Sequence, residues 1–468
     1  MKSRFFDVFF DQAVIKLRSF GKRTGLMTVR LLALATFSSA QAGNTNAESS
    51  LTPAHAVTKA APERALSMLR TKGTQWVKAD GTPIQLKGTN LGNWLMLEFW
   101  MMGQSTKAID DQCTLEATLD RRFGYAERER LMRLHRDNWI TARDWDLMPQ
   151  FGLNLVRVPF IWSLIEDEKN PRQLRPDAWH YLDEAINQAE ARGMYVVLDL
   201  HGAVGAQGHE HHSGCAGKNL YWSTPEYQER TAWLWQQIAT RYRNRAAVAG
   251  YSILNEPWGT SEAEMAAMMK RLYTSVRAVD PNHIIILPGH SRGIDAYGKP
   301  GDQGMRNVAF EMHFYPGHFG WAKPGLDVHR DWLQCVPQGG GTCEWNARMT
   351  ALDTPLFVGE FQPWADMDDE LGGQITRASY DTYAKYGWAA ATWSFKMLSH
   401  AGGLVKSNWG MVTNVEGASI PAVDFSKASL GEIEQLIKLF GSVPYQPNKQ
   451  VMKWMNTVVP PKPFVQAQ

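Results

Sequence analysis

Long apolar runs, close cysteine pairs and a surplus of one charge are all missing from this 468-residue chain. Its most apolar N-terminal stretch, residues 31–37, falls well short of the roughly 20 residues a bilayer-spanning helix requires, so no transmembrane anchor is expected. The four cysteines, Cys113, Cys215, Cys335 and Cys343, lack the paired spacing of a zinc site. With 49 Lys/Arg against 47 Asp/Glu, the formal charge of +2 provides no basic stripe for nucleic acid. No Gly-rich dinucleotide fingerprint follows the first strand-like run, and nothing repeats at solenoid spacing. What is present is a chain with 44% hydrophobic and 11% aromatic residues, 19 of them tryptophan, which can bury a large core.

The N-terminus has the order of an export signal: basic residues up to Arg30, the apolar stretch, then Ala40-Gln41-Ala42 before Gly43. Translation from Met27 would give a more compact signal than translation from Met1. Removing residues 1–42 leaves 42 Lys/Arg against 45 Asp/Glu, a net charge of −3. The expectation is a signal over 1–42, a polar linker over 43–70 and a catalytic unit over 71–468 that begins its fold near Trp76, in a periplasmic or secreted protein. In an oxidising compartment Cys335 and Cys343 form the favoured disulfide across a Gly-rich loop, and Cys113 with Cys215 follows only by elimination.

Eight short apolar runs lie at 84–89, 153–160, 195–201, 249–255, 283–288, 308–313, 356–360 and 389–394. Helical patterns separate them, two opened by the capping boxes Ser261/Glu264 and Ser429/Glu432. Eight strands alternating with helices predict an α/β fold of the (β/α)8 TIM-barrel type, with C-terminal helices and with extended loops at 95–150 and 317–346 over the mouth.

Two of the runs end in a carboxylate, at Asn255-Glu256-Pro257 and Gly359-Glu360-Phe361, 104 residues apart between the two glutamates. The C-terminal ends of barrel strands are where functional side chains stand. Two carboxylates about 5 to 5.5 Å apart suit double displacement at a sugar, one protonating the leaving oxygen and the other attacking the anomeric carbon. Arg157 can keep a nucleophilic Glu360 charged, His313 and Tyr315 can hold the two acids, and Asn255 suits a sugar hydroxyl. Each also has a structural reading: a buried ion-pair partner for Arg157, a satisfied core histidine for His201. The loop containing His209, His211 and His212 lacks fixed metal geometry and is expected to face solvent or glycan. Tryptophans at strand ends or in loops (Trp94, Trp100, Trp222, Trp258, Trp364, Trp393, Trp409) are candidate sugar platforms, although any one tryptophan is more often core.

From Trp76 to about Gly410 the chain resembles glycoside hydrolase family 5, a retaining clan-A family, and within it the exo-β-1,3-glucanase branch. The resemblance rests on Leu86-Lys87-Gly88-Thr89-Asn90-Leu91-Gly92-Asn93-Trp94-Leu95, Asn154-Leu155-Val156-Arg157-Val158-Pro159, Asp199-Leu200-His201-Gly202-Ala203, Leu254-Asn255-Glu256-Pro257 and Val358-Gly359-Glu360. It implies Glu256 as acid/base and Glu360 as nucleophile, with Arg157, His201, Asn255, His313, Tyr315 and Trp393 in support and neither cofactor nor metal. Glu98 stands where the branch often places an acid gripping a terminal sugar, which favours exo action. Asn93 replaces a usual glycine and is expected to put a side chain near the glucose subsite, beside Trp94. The implied partner is a β-linked glucose oligosaccharide or polysaccharide. The same barrel serves β-1,4- and β-1,6-glucanases and glucosyl-lipid hydrolases, and a non-catalytic glycan-binding barrel is the alternative from another class.

Overall fold

A computed structural model of the chain describes residues 65–289, 293–403 and 407–464. The proposed signal, and most of the proposed linker, lie outside them. Eight parallel strands close into a barrel: β3 (Lys87–Asn90), β4 (Leu155–Ile161), β5 (Tyr195–Gly202), β6 (Val248–Ser252), β7 (Ile284–Pro288), β8 (Val308–Phe314), β9 (Leu356–Phe361) and β10 (Ala389–Thr392), with β10 returning to β3. All eight coincide with the expected apolar runs, as strands buried on both faces should. An antiparallel hairpin, β1 (Leu69–Lys72) and β2 (Gln75–Lys78), precedes them. The fold therefore begins before Trp76, within the stretch expected to be linker. Trp76 packs edge-on against Phe357 and donates to the Leu356 carbonyl, so the hairpin plugs the N-terminal end of the barrel. Ile84 hydrogen-bonds to Trp76 and belongs to this plug, which is why the first barrel strand starts at Lys87 and not at Ile84.

The helices are α1 (Gln112–Phe123), α2 (Tyr125–Trp139), α3 (Ala142–Leu147), α4 (His180–Glu190), α5 (Pro225–Tyr242), α6 (Glu262–Arg277), α7 (Leu326–Gln334), α8 (Gly341–Leu352), α9 (Asp369–Lys385), α10 (Leu430–Ser442) and α11 (Lys449–Met455). Both capping boxes form, at the starts of α6 and α10. The long connection after β3 supplies α1 to α3, and α2 packs on α10. No helix among the described residues is long and apolar enough to cross a membrane.

Strand alternation decides which side chains face inward. The interior cluster takes Leu155 from β4, Tyr195 and Val197 from β5, Ala309 from β8 and Phe357 from β9. Continuing by twos toward the C-terminal ends points Arg157, Asp199, His201, Glu311 and His313 inward as well. Strict alternation would turn Glu360 outward. A register shift prevents this: Met312 pairs with Val358, but His313 pairs with Glu360, so Gly359 is the extra residue of a bulge that re-aims Glu360. Only glycine fits there, because a Cβ at Gly359 would sit 1.9 Å from the Glu311 carboxylate.

Candidate active site

Arg157 is fully buried, and its guanidinium organises the floor of the barrel mouth. Nη1 donates to Glu360 Oε1 and Asn90 Oδ1, both at 3.0 Å, and Nη2 donates to Asn255 Oδ1 at 2.8 Å. Nη2 also lies 3.1 Å from Asp199 and 2.9 Å from Glu311. A buried cation is tolerable only when paired and hydrogen-bonded, and here three carboxylates share it. Asn90 and Asp199 stand in the motifs that carry the family resemblance, but nothing in the pattern said that they and Glu311 would converge on one arginine. Ser252 donates to the far oxygen of Glu311 at 2.5 Å.

Glu360 accepts from Arg157 on one oxygen and from the Tyr315 hydroxyl, at 2.6 Å, on the other. Burial, and then the neighbouring Glu256 carboxylate, push Glu360 above the ordinary carboxylate range against the pull of His313 and Arg157. Glu256 stands just beyond β6 with φ of +37°, a backbone angle uncommon for a residue with a side chain. Its Oε1 is 2.6 Å from His313 Nδ1, and its Oε2 is 2.9 Å from His212 Nε2. His313 reaches Glu311 through Nε2 at 3.1 Å and lies 3.4 Å from Glu360. Burial disfavours the His313 cation, but Glu360, Glu256 and Glu311 outweigh it and hold its pKa up at about 10.

One ligand-type atom each from Glu256, His313 and Glu360 lie within 4.8 Å of one another. That grouping offers three donor atoms, and both ring nitrogens of His313 already face carboxylates, Glu256 through Nδ1 and Glu311 through Nε2. With one oxygen of each within 4.8 Å of the other, the two carboxylates suit a double-displacement site, whose carboxyl groups stand about 5 to 5.5 Å apart.

His201 bonds Asp199 at 2.7 Å, accepts a 3.4 Å contact from the Asn255 amide and stacks on Trp393 with ring planes 10° apart. Asn255 spends its oxygen on Arg157, so its amide group is the side left for a sugar hydroxyl. Gln207, given no role from the sequence, ties the site together: its amide donates to the His201 and Asn255 carbonyls while its oxygen accepts from the Ala203 N–H. Trp100 donates to Glu98 at 2.6 Å and meets Trp409 edge-on, with Tyr315 and Phe319 also against Trp409; Phe319 is 68% exposed.

Several expectations need correction. Trp94 is not a platform, because it is buried, donates to the Arg136 carbonyl and packs between Trp145 and Tyr181. Asn93 does not offer its oxygen to a sugar: with φ of +59° it occupies the left-handed region that asparagine tolerates, and it accepts from the Glu98 backbone N–H at 2.8 Å. His211 and His212, expected to face solvent or glycan, also meet two acids of the site that the sequence did not link to them: His211 lies 3.4 Å from Glu98 and His212 2.9 Å from Glu256. Both cysteine pairs are disulfides. Cys335–Cys343 joins α7 to α8 beside Tyr386, at the end of α9 from which the chain enters β10, and so is not at the mouth. The pair expected only by elimination, Cys113–Cys215, is the one that anchors the histidine loop, where Cys113 N–H also donates to the Gly214 carbonyl.

A parallel eight-stranded barrel with two close carboxylates at its strand ends is an arrangement that retaining glycoside hydrolases use. The family model for cellulases, glycosyl hydrolase family 5, matches residues 127–398, and this chain belongs to that family. Similar curated proteins include a beta-xylosidase of Phanerodontia chrysosporium, 29% identical over 358 residues that cover 72% of each chain. A probable glucan 1,3-beta-glucosidase A of Aspergillus fumigatus is 27% identical over 66% of this chain and 73% of its own. The crystal structure of rutinosidase from Aspergillus niger superposes with a TM-score of 0.54 at 17% identity, covering 70% of this chain and 95% of that one, a likeness of fold alone.

Proposed function

We propose that this enzyme hydrolyses β-glucan with retention, acting from chain ends on β-1,3-linked glucose, with Glu360 as nucleophile and Glu256 as acid/base. The observation that carries the reading is the close pair Glu256 and Glu360 sharing His313. Glu360 attacks the anomeric carbon, oriented by hydrogen bonds to both of its oxygens, while Glu256 protonates the departing oxygen. Water, deprotonated by Glu256, then releases the sugar from Glu360. Arg157 is read as a positioning residue for Glu360, and Asn255 as a donor to the sugar beside the anomeric carbon. Trp393 and His201 form one stacked wall, and Glu98, buried and held by Trp100, is read as the acid that grips the terminal sugar. Exo action and the β-1,3 linkage are supported by that buried acid and by the glucan 1,3-beta-glucosidase relatives. The beta-xylosidase relative favours a second reading, in which the terminal sugar is a pentose.

A panel of linkage-defined β-gluco-oligosaccharides together with β-xylosides tests both readings. Glucose as sole product from β-1,3-linked substrates is the expected result; a spread of oligomers, another linkage or xylose would replace it. Proton NMR of the first-formed anomer should show the β configuration, and an α product would end the two-step mechanism.

The export reading is likewise a proposal, supported by the Ala40-Gln41-Ala42 motif and by two disulfides, which persist in oxidising compartments. Intact-mass analysis of secreted protein should find an N-terminus at Gly43; a chain still starting at Met1 or Met27 would overturn it.

A further inference from the structure

The histidine loop reaches the carboxylate pair in a way the proposed mechanism has not used. A single short turn, His211–Ser213, sends two imidazoles to two acids, His211 to Glu98 and His212 to Glu256. The turn is held by Ser213, whose hydroxyl donates to the Gly208 and Glu210 carbonyls, and by the Cys113–Cys215 disulfide two residues beyond it. We propose that His212 is the proton partner of Glu256: its Nε2 proton passes to Glu256 Oε2 as Glu256 protonates the departing oxygen, and comes back after Glu256 deprotonates the attacking water. This deepens the reading of Glu256 as acid/base and rests on it.

The two histidines that touch Glu256 are not equivalent. His313 is pinned, with Nδ1 between Glu256 and Glu360 and Nε2 on Glu311, and its side chain is 6% exposed. His212 makes one carboxylate contact, and its side chain is 21% exposed, so it can exchange its proton with solvent. The groups facing His212 are Glu256, Glu98 and Glu360, with the His201 and His211 rings 6.2 and 5.6 Å away. Burial disfavours its cation, but the three carboxylates dominate and hold its pKa up at about 9. At neutral pH the pair thus stores one proton on the imidazole, 2.9 Å from the acid that must deliver it.

The step balances. In glycosylation the C–O bond to the leaving group breaks as the Glu360–carbon bond forms; the leaving oxygen takes the electron pair and the one stored proton, which passes from His212 through Glu256 and leaves Glu256 ionised and His212 neutral. In deglycosylation water gives its proton through Glu256 to His212, its oxygen bonds to the anomeric carbon, and the electron pair of the breaking bond returns to Glu360.

His212 does not touch the reacting atoms, so the test must read more than lost activity. Full-length enzyme and the H212Q variant are compared on two aryl β-glycosides of the sugar the wild type accepts, one with a dinitrophenyl leaving group that departs unprotonated and one with a phenyl group that needs a proton. H212Q should lose about tenfold or more in kcat/KM on the phenyl glycoside alone. The basic limb of its pH profile should move down by about one unit or more, because Glu256 must then hold the proton unaided. Added imidazole should restore the H212G variant, which keeps the test valid if glutamine disturbs the fold. Equal losses on both substrates with an unmoved limb would mean that His212 only supports the loop. An upward shift would mean that it merely suppresses protonation of Glu256. Either result overturns the proposal. E256A, measured in parallel, separates the two levels: if it shows no leaving-group dependence, the acid/base reading itself has failed; if it shows dependence and H212Q does not, only the His212 inference has.

Discussion

The two carboxylates of this site are held by different kinds of structure. Glu360 sits within a barrel strand and is braced by residues from other strands: Arg157 on β4, His313 on β8 and, through Arg157, Asp199 on β5 and Glu311 on β8. Glu256 stands past the end of its strand with a left-handed backbone and is met from outside by a loop histidine whose turn is tied down by a disulfide. The strand-built half is dry and over-determined: every charge in it has more than one partner, as burial demands. The loop-built half is partly open to water, which suits the proton exchange proposed for Glu256. A nucleophile needs a fixed position and a fixed charge, whereas an acid/base needs access to protons.

The sharpest way to break this contrast is to remove each carboxylate. E360A should lose about 10⁴-fold or more in kcat with every leaving group, since the covalent step has no substitute. E256A should lose about 10² to 10⁴-fold on substrates that need protonation, far less on an activated aryl glycoside, and be accelerated by azide to a β-azide product. An E256A variant that forms the α-azide would exchange the two assignments.

Next is the brace. R157K keeps the charge but not the planar fork that engages Glu360, Asn90 and Asn255 together, and should lose about 2 kcal/mol of transition-state stabilisation, about thirtyfold in kcat/KM. Thermal unfolding measured alongside should still show one cooperative transition, and a near-wild-type kcat/KM would remove Arg157 from the site.

A pH profile sharpens the comparison further. Glu360 must be ionised to attack, and its pKa is raised by burial and by Glu256, so kcat/KM should fall, as pH decreases, through a limb above the ordinary carboxylate value of about 4.3. The His313 cation pulls that limb down. H313Q should therefore move it to higher pH, by about one unit. An unchanged or lowered limb would show that His313 does not act on Glu360.

The disulfides give the smallest effects on chemistry and the clearest contrast between regions. Chain-entropy reasoning assigns about 2.5 kcal/mol of stability to Cys335–Cys343, which closes a separation of 8, and about 4.7 kcal/mol to Cys113–Cys215, which closes 102. Serine replacement of the first pair should lower the unfolding temperature and leave kcat/KM as it was. Replacement of the second should lower both, with the activity loss a few-fold, as the His211–His212 turn loosens. Equal activity in the two variants would sever the link between that disulfide and the site.

The sequence by itself determined the barrel, because eight apolar runs in alternation with helical patterns leave few other ways to bury their faces. It also determined the two carboxylates and the arginine, since each ends or interrupts an apolar run where only function or pairing explains a charge. The tertiary structure alone decided how they meet. Asn90, Asp199 and Glu311 converge on Arg157 from three strands, and convergence across strands leaves no periodicity within any one of them. Trp94 moved from platform to core, and the Asn93 oxygen went to the Glu98 backbone, because where a side chain points depends on the backbone of its own residue and on neighbours that the sequence pattern does not show. The bulge at Gly359 that turns Glu360 inward is written in the sequence as one glycine before the acid, yet its effect exists only against β8. The turn that brings His212 to Glu256 likewise lies beside a closure between residues 113 and 215, for which the sequence offers only two distant cysteines.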